Sequence, residues 1–241
     1  MPEKMECIKY NLFSMEEQKD SNKKKNKFSK VVAFFCYLIP ICGLLAGIYM
    51  LVNILSPNIE INYPARQEET LKKTTTIRPE LSVNKIIIPQ MAVDLPIVIA
   101  LDNSYKAELI ALDKGVLNRV PKNGNPKDGG NYVLAAHRFD IGWTPEITRA
   151  KSPFYHIENM KVKDRVYVDY EGIRYVYEID EIKSVRPNAV EIEARTKDKR
   201  LTVYTCDLAG ADADRHVFFA KQIGKIAWDD KGEAKVVNVE Q

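Results

Sequence analysis

Residues 200–206 read RLTVYTC and residues 215–223 read RHVFFAKQI, two runs rich in β-branched and aromatic side chains with the eight residues Asp207 to Asp214 between them. Each run has the length and composition of a strand. The connection is long enough for a hairpin that sets Cys206 and Arg215 opposite each other at one rim of a sheet. Working outward, six more runs of the same kind appear: LSVNKIII (81–88), VDLPIVIA (93–100), YVLAA (132–136), RVYVDY (165–170), IRYVYEIDEI (173–182) and AVEIEA (189–194). Eight short runs punctuated by turn residues predict an all-β barrel or sandwich rather than a parallel sheet.

The clearest hairpin lies at 169–173, where Glu171 and Gly172 separate two alternating runs. In IRYVYEID, Ile173, Tyr175, Tyr177 and Ile179 share one face, while Arg174, Val176, Glu178 and Asp180 share the other, so one solvated face is expected. Short helices are expected only at 104–112 and 144–151, the second with Thr144 as its cap and Pro145 at its first position. The stretch RVPKNGNPKDGGN (119–131) reads as loop.

Upstream, residues 31–55 contain no charged residue. As a helix of about 1.5 Å rise per residue this stretch reaches roughly 37 Å, enough for a hydrocarbon core of about 30 Å. It is longer than the apolar part of a secretory signal, and Pro40 is tolerable inside lipid. Lys19, Lys23, Lys24, Lys25, Lys27 and Lys30 precede it, whereas the first basic residue beyond it is Arg66. The positive-inside rule therefore predicts a cytoplasmic N-terminus and an extracellular C-terminal domain on a single-pass membrane protein. The expected divisions are a basic cytoplasmic tail (1–30), a transmembrane helix (31–55), a polar stalk (56–78), a folded catalytic domain (79–230) and a C-terminal tail (231–241).

The chain carries 36 Lys plus Arg against 33 Asp plus Glu, and residues 1–30, with eight Lys and five acids, hold the whole excess. Nucleic-acid binding is thereby disfavoured, since the remainder is balanced. No Cys or His pair has metal-ligand spacing, and there is no P-loop or dinucleotide fingerprint, so no metal and no cofactor are expected. Of the four cysteines, Cys7 precedes the span, Cys36 and Cys42 lie inside it, and Cys206 alone falls in the outer domain. An unpaired thiol facing an oxidising exterior is a buried hydrophobe, a bridging residue or a nucleophile.

Two strands end in reactive groups: YVLAA runs into His137 and LTVYT runs into Cys206, while Arg215 opens a third strand at the same rim. A thiolate attacks a carbonyl, an imidazole protonates a departing amine, and a guanidinium donates to a developing oxyanion, a combination suited to acyl transfer through a thioester. His216 follows Arg215 directly and should face away from it, and His156 is expected in a loop.

These residues resemble the sortase family. Thr202-Val203-Tyr204-Thr205-Cys206 is similar to the signature Thr-Leu-x-Thr-Cys, with Gly210 and Arg215 four and nine residues beyond the cysteine. Ala135-Ala136-His137-Arg138 resembles the Gly-His-Arg motif, and IIIPQMAVDLPIVIA (86–100) is similar to the opening strands. The resemblance spans about residues 81–223 and implies an eight-stranded β-barrel and a membrane-anchored cysteine transpeptidase. The implied catalytic residues are His137, Cys206 and Arg215, with Thr205 helping to bind substrate. The implied partners are surface proteins carrying a Leu-Pro-x-Thr-Gly-like sorting signal and an amine acceptor on a cell-wall precursor or a pilin lysine.

The sequence also departs from the family pattern. Val203 and Ala136 are conservative, but Asp207 would oppose thiolate formation unless it turns away or pairs with Arg138 or Arg215. The lack of an Asp-Pro-aromatic lid motif before the barrel and of a C-terminal span points away from pilin polymerisation and toward surface-protein anchoring. The competing readings are another cell-wall cysteine transpeptidase or peptidase, and a degenerate barrel that only binds partners at the cell surface.

Overall fold

The structure, a computed structural model, describes residues 30, 32–59, 62–208 and 212–238. The basic tail up to residue 29, with Cys7, and Gly210 of the cysteine motif lie outside the described residues. Helix α1 (Val32–Leu55) has 24 residues and is long and apolar enough to cross a membrane. From Asn53 onward the chain forms one compact unit.

That unit is mostly β. Its strands are β1 (Lys85–Ile88), β2 (Val93–Val98), β3 (Val116–Asn118), β4 (Gly124–Asn125), β5 (Gly129–Ala135), β6 (Arg165–Tyr170), β7 (Ile173–Val185), β8 (Arg200–Cys206), β9 (Arg215–Trp228) and β10 (Ala234–Val237). The hydrogen-bonded neighbours run β9-β7-β6-β1-β2-β3-β5, and β8 pairs with both β5 and β9, so eight strands close a ring. Strands β4 and β10 lie outside the ring, paired with β5 and β9. Closure leaves the ring no exposed edge, and register shifts in the β7/β9 pair supply irregularities that help a long strand bend.

The count of eight ring strands is as expected, but one member differs. Residues 190–193 form a 3-10 turn instead of a strand, and the overlooked run VLN (116–118) takes the place in the ring, parallel to β2. The turn is held from beneath: Asn131 Nδ2 donates to the carbonyls of Ile192 and Ala194 at 2.9 Å each, and Asn123 Nδ2 donates to Glu193 O at 2.6 Å. Those side-chain amides satisfy backbone groups that a strand would have paired with another strand.

Alternation governs the core. In β1, Ile86 and Ile88 point into the barrel with Leu134, Leu201, Val203 and Phe218, while Ile87 joins a second cluster outside it with Tyr167, Val176 and Ile226. The predicted helices form as Tyr105–Leu112 (α3) and Pro145–Lys151 (α4), capped by the hydroxyls of Ser104 and Thr144. At the β6/β7 hairpin, Glu171 and Gly172 both adopt positive φ, 49° and 78°, matching a turn whose twist follows that of its strands.

Three expectations are corrected. The solvated face of β7 is largely covered, since Arg174 is 2% and Val176 0% exposed. Their cover includes the segment expected to be a stalk: Tyr63–Thr76 is a helix, α2, with Thr70 and Thr74 buried. Its apolar pattern is weak because it docks through hydrogen bonds. Arg174 Nη1 donates to the carbonyls of Lys73, Thr74 and Ile77 at 2.9, 2.7 and 2.8 Å, around the C-terminus of the helix, where carbonyls run short of intrahelical donors. The expected C-terminal tail likewise contributes β10, antiparallel to β9.

Candidate active site

Strand β8 runs parallel to β5 and antiparallel to β9, and this one arrangement gathers the three reactive groups. Cys206 and Arg215 are register partners in the β8/β9 pair. His137 stands two residues beyond the end of β5, whose Ala135 is opposite Tyr204 of β8. His137, Cys206 and Arg215 line one cleft of about 390 Å³, with Thr205 among its other lining residues.

One wall is α3, which contributes Tyr105, Leu109 and Leu112, and the other is the segment from Arg186 to Glu193. Sequence reasoning missed both walls and the residue that joins them. Arg119 pairs with Glu108 of α3, and its Nε donates to Glu193 Oε1 at 3.3 Å and to Tyr204 Oη at 3.0 Å. Tyr204 Oη in turn donates to Glu193 Oε1 at 2.5 Å. Burial, then the Glu193 carboxylate, pushes the Tyr204 phenol well above the usual tyrosine range, so it stays a donor. Glu193 lies 74 residues from Arg119 in the chain, a separation over which no local pattern reports a contact.

The Thr205 hydroxyl is committed within the protein: the residue is 1% exposed and Oγ1 donates to Ala136 O at 2.7 Å. This bond ties the cysteine's strand to the segment carrying the histidine. His137 O accepts from Phe154 N at 3.1 Å. Asp113, His137 and Asp140 bring potential ligand atoms within 4.8 Å of one another. Lys151 Nζ sits 2.6 Å from Asp140 Oδ2 and 3.5 Å from Asp113 Oδ1, so the protein places a cation of its own against both carboxylates. Arg215 Nη1 donates to Ala213 O at 2.8 Å, which orients the guanidinium from its own loop.

Asp207 pairs with Arg138, Oδ1 to Nη1 at 2.8 Å, the arrangement its position beside Cys206 called for. His216 faces Asp207 and Glu158 at 3.6 and 3.7 Å, as its alternation with Arg215 requires. His156 sits elsewhere, with Nε2 3.0 Å from Pro57 O and its ring stacked at a tilt on Tyr63.

A cysteine and an arginine paired across two strands, with a histidine just beyond the adjoining strand, thus line one cleft of a closed barrel. The sortase domain family matches residues 86–223, more than half the chain, and the chain belongs to that family. Among solved structures it is similar to a Clostridium perfringens sortase D5 transpeptidase, with 22% identity and a TM-score of 0.46 over 66% of this chain and 88% of that one. Listeria monocytogenes sortase A gives 21% identity and a TM-score of 0.48 over 65% and 92%, and Actinomyces oris sortase C-1 gives 22% and 0.46 over 66% and 82%. No curated protein matches the chain. Family membership makes it a transpeptidase of the sortase kind.

Proposed function

We propose that this protein cleaves a Leu-Pro-x-Thr-Gly-like sorting signal between Thr and Gly and transfers the acyl group to an amine at the cell surface. The observation that carries the reading is the register pairing of Cys206 with Arg215 at the mouth of the cleft that His137 also lines. The Cys206 thiolate attacks the Thr carbonyl carbon, forming the C–S bond. Arg215 donates to the oxygen on which negative charge develops. The C–N bond then breaks as His137, acting as acid, delivers its proton to the departing glycine amine. In the second half, an incoming amine attacks the thioester and loses a proton to His137. The C–S bond breaks and the thiolate returns.

The apolar side chains of the cleft, Leu109 and Leu112 on one wall and Val190 and Ile192 on the other, suit the Leu-Pro portion of such a signal. Thr205 serves substrate binding by holding the cleft floor through its bond to Ala136. The acceptor is an amine on a peptidoglycan precursor or a pilin lysine. The protein is a single-pass membrane protein with its N-terminus in the cytoplasm and this site outside, and no cofactor takes part.

The test is to incubate the protein with a Leu-Pro-x-Thr-Gly peptide and a glycine amine and read products by intact mass. An acyl adduct on Cys206 and ligated peptide are expected, and both should vanish in Cys206→Ala while the fold persists. Turnover retained by Cys206→Ala would falsify the mechanism. If an alkylating probe labels Cys206 but the peptide is untouched, the sorting motif is wrong. If the probe also fails, the barrel is a binding module.

A further inference from the structure

Helix α1 ends at Leu55, and its last residues, from Asn53, already belong to the compact unit. Asn53 is 2% exposed: its Nδ2 donates to Gly142 O at 2.7 Å and its Oδ1 accepts from Thr148 Oγ1 at 2.5 Å. Ser56 Oγ donates to Pro145 O at 3.1 Å. Three bonds therefore fasten the segment entering α4, and the helix itself, to the residues where the apolar span stops.

The fastened segment is apolar on its exposed side. Trp143 is 89% exposed, and Ile141 and Ile147, two positions before it and four after, are 44% and 42% exposed. In water the exposed indole and isoleucine surface stays hydrated and contributes no burial. At the boundary of a bilayer it is favourable: a tryptophan sits at headgroup level with its ring in apolar surroundings and its N–H wet, and aliphatic neighbours add buried area. Position selects the lipid as partner, because side chains bonded to residues 53–56 stand beside the point where the chain leaves the hydrocarbon.

We infer that Ile141, Trp143 and Ile147 form an interfacial foot that inserts into the leaflet from which the chain emerges. The inference rests on reading residues 32–55 as a membrane span. The foot belongs to the same connection, between β5 and β6, that carries His137, so it fixes the height of the histidine side of the cleft above the lipid. A sorting signal whose own polypeptide is still held in the membrane would then reach the cleft at a constant distance.

The chain has two tryptophans, which makes the test direct. Full-length protein is reconstituted in vesicles containing lipids brominated just below the headgroup, and the emission of Trp143 is taken from Trp228→Phe. The difference between wild type and Trp143→Phe gives the same quantity with Trp228 untouched. Trp228 is the internal reference, because its Nε1 donates to Thr75 O at 3.1 Å on α2, away from the foot. Trp143 should emit at shorter wavelength than in detergent-free water and lose most of its emission to bromine, with acrylamide in the aqueous phase having little effect, while Trp228 responds to neither lipid nor bromine. A carbonate-resistant protein whose Trp143 is quenched by acrylamide and not by bromine overturns the foot alone. A protein released from vesicles by alkaline carbonate overturns the span and the foot with it, and leaves the acyl-transfer chemistry of the cleft standing.

Discussion

Arg138 Nη1 donates to Asp207 Oδ1 at 2.8 Å, joining the residue after His137 to the residue after Cys206. The residue after Arg215, His216, has Nε2 3.6 Å from Asp207 Oδ2, and Glu158 Oε1 lies 2.6 Å from Arg138 Nη2. Cys206, His137 and Arg215 line one cleft, and the residues that follow them in the chain join in a charged network beside it. Arg138, 3% exposed, is its centre, and without it the Asp207 carboxylate would stand uncompensated beside the Cys206 thiol. Arg138→Met should cost about 2 kcal/mol of stability, because two charge-assisted bonds go but their acidic partners reach solvent. Alkylation of Cys206 at neutral pH should slow several-fold in that variant and recover in Arg138→Met/Asp207→Asn. A double variant as slow as the single one would show that Arg138 does not act through Asp207.

A second buried arginine holds the N-terminal helix. Arg174 Nε and Nη2 bond to the two oxygens of Asp169 at 2.6 Å each, while Nη1 takes the three carbonyls at the end of α2. Arg174→Ala strands the 3% exposed Asp169 and should cost about 3–5 kcal/mol. Arg174→Lys keeps the charge but lacks the planar fork, so it should also loosen α2. Limited proteolysis within residues 63–76 reads this directly. Cleavage unchanged from wild type in both variants would mean that α2 is held by other contacts.

These two networks mark where the sequence stops being legible. The ring of strands, the helices at 105–112 and 145–151, and the closeness of Cys206 to Arg215 follow from local pattern: hydrophobic alternation, capping residues and a loop of hairpin length. The helix at 63–76 does not, because the partners that hold it are distant in the chain, among them an arginine 101 residues from Lys73. The apolar run AVEIEA failed as a strand for a related reason: the buried Asn131 and the half-buried Asn123 claim its carbonyls first. The site divides the same way. Strand ends point to His137, Cys206 and Arg215, which the fold brings to one cleft, whereas the cleft walls are joined through Arg119, Glu108, Glu193 and Tyr204, which meet only in the folded chain.

Alkaline pH should destabilise the barrel through its interior tyrosines. Burial holds the phenols of Tyr132, Tyr177 and Tyr204 well above the usual tyrosine value of 10.0. In the unfolded chain these groups ionise near that value while the folded ones keep their protons, so above it the native state binds more protons and stability falls as pH rises. Each phenol contributes a slope of about 1.4 kcal/mol per pH unit in that window, and nothing below it. Denaturant midpoints measured from neutral to strongly alkaline pH should stay flat in this respect until about pH 10 and then drop, with tyrosinate absorbance from these residues appearing only on unfolding. Smooth titration of every tyrosine with the midpoint unmoved would contradict their burial.

Arg215→Lys separates charge from geometry at the mouth of the cleft. Lysine keeps the positive charge and can reach the Ala213 carbonyl that now accepts from Arg215 Nη1 at 2.8 Å. It cannot present two parallel donors to a carbonyl oxygen in the plane that guanidinium defines. Removing a donor that acts on a developing oxyanion typically costs on the order of 10²–10³ in turnover. The loss should fall on kcat more than on KM, because the interaction strengthens only as charge builds on the oxygen. Thermal stability should be unchanged, since the side chain lies at the rim rather than in the core. Near-normal kcat in this variant would remove Arg215 from the oxyanion role and leave it a charge that keeps Cys206 reactive, in which case Arg215→Met should lose alkylation and turnover together. If Arg215→Lys loses turnover but alkylates Cys206 at the wild-type rate, the guanidinium acts on the substrate and not on the thiol.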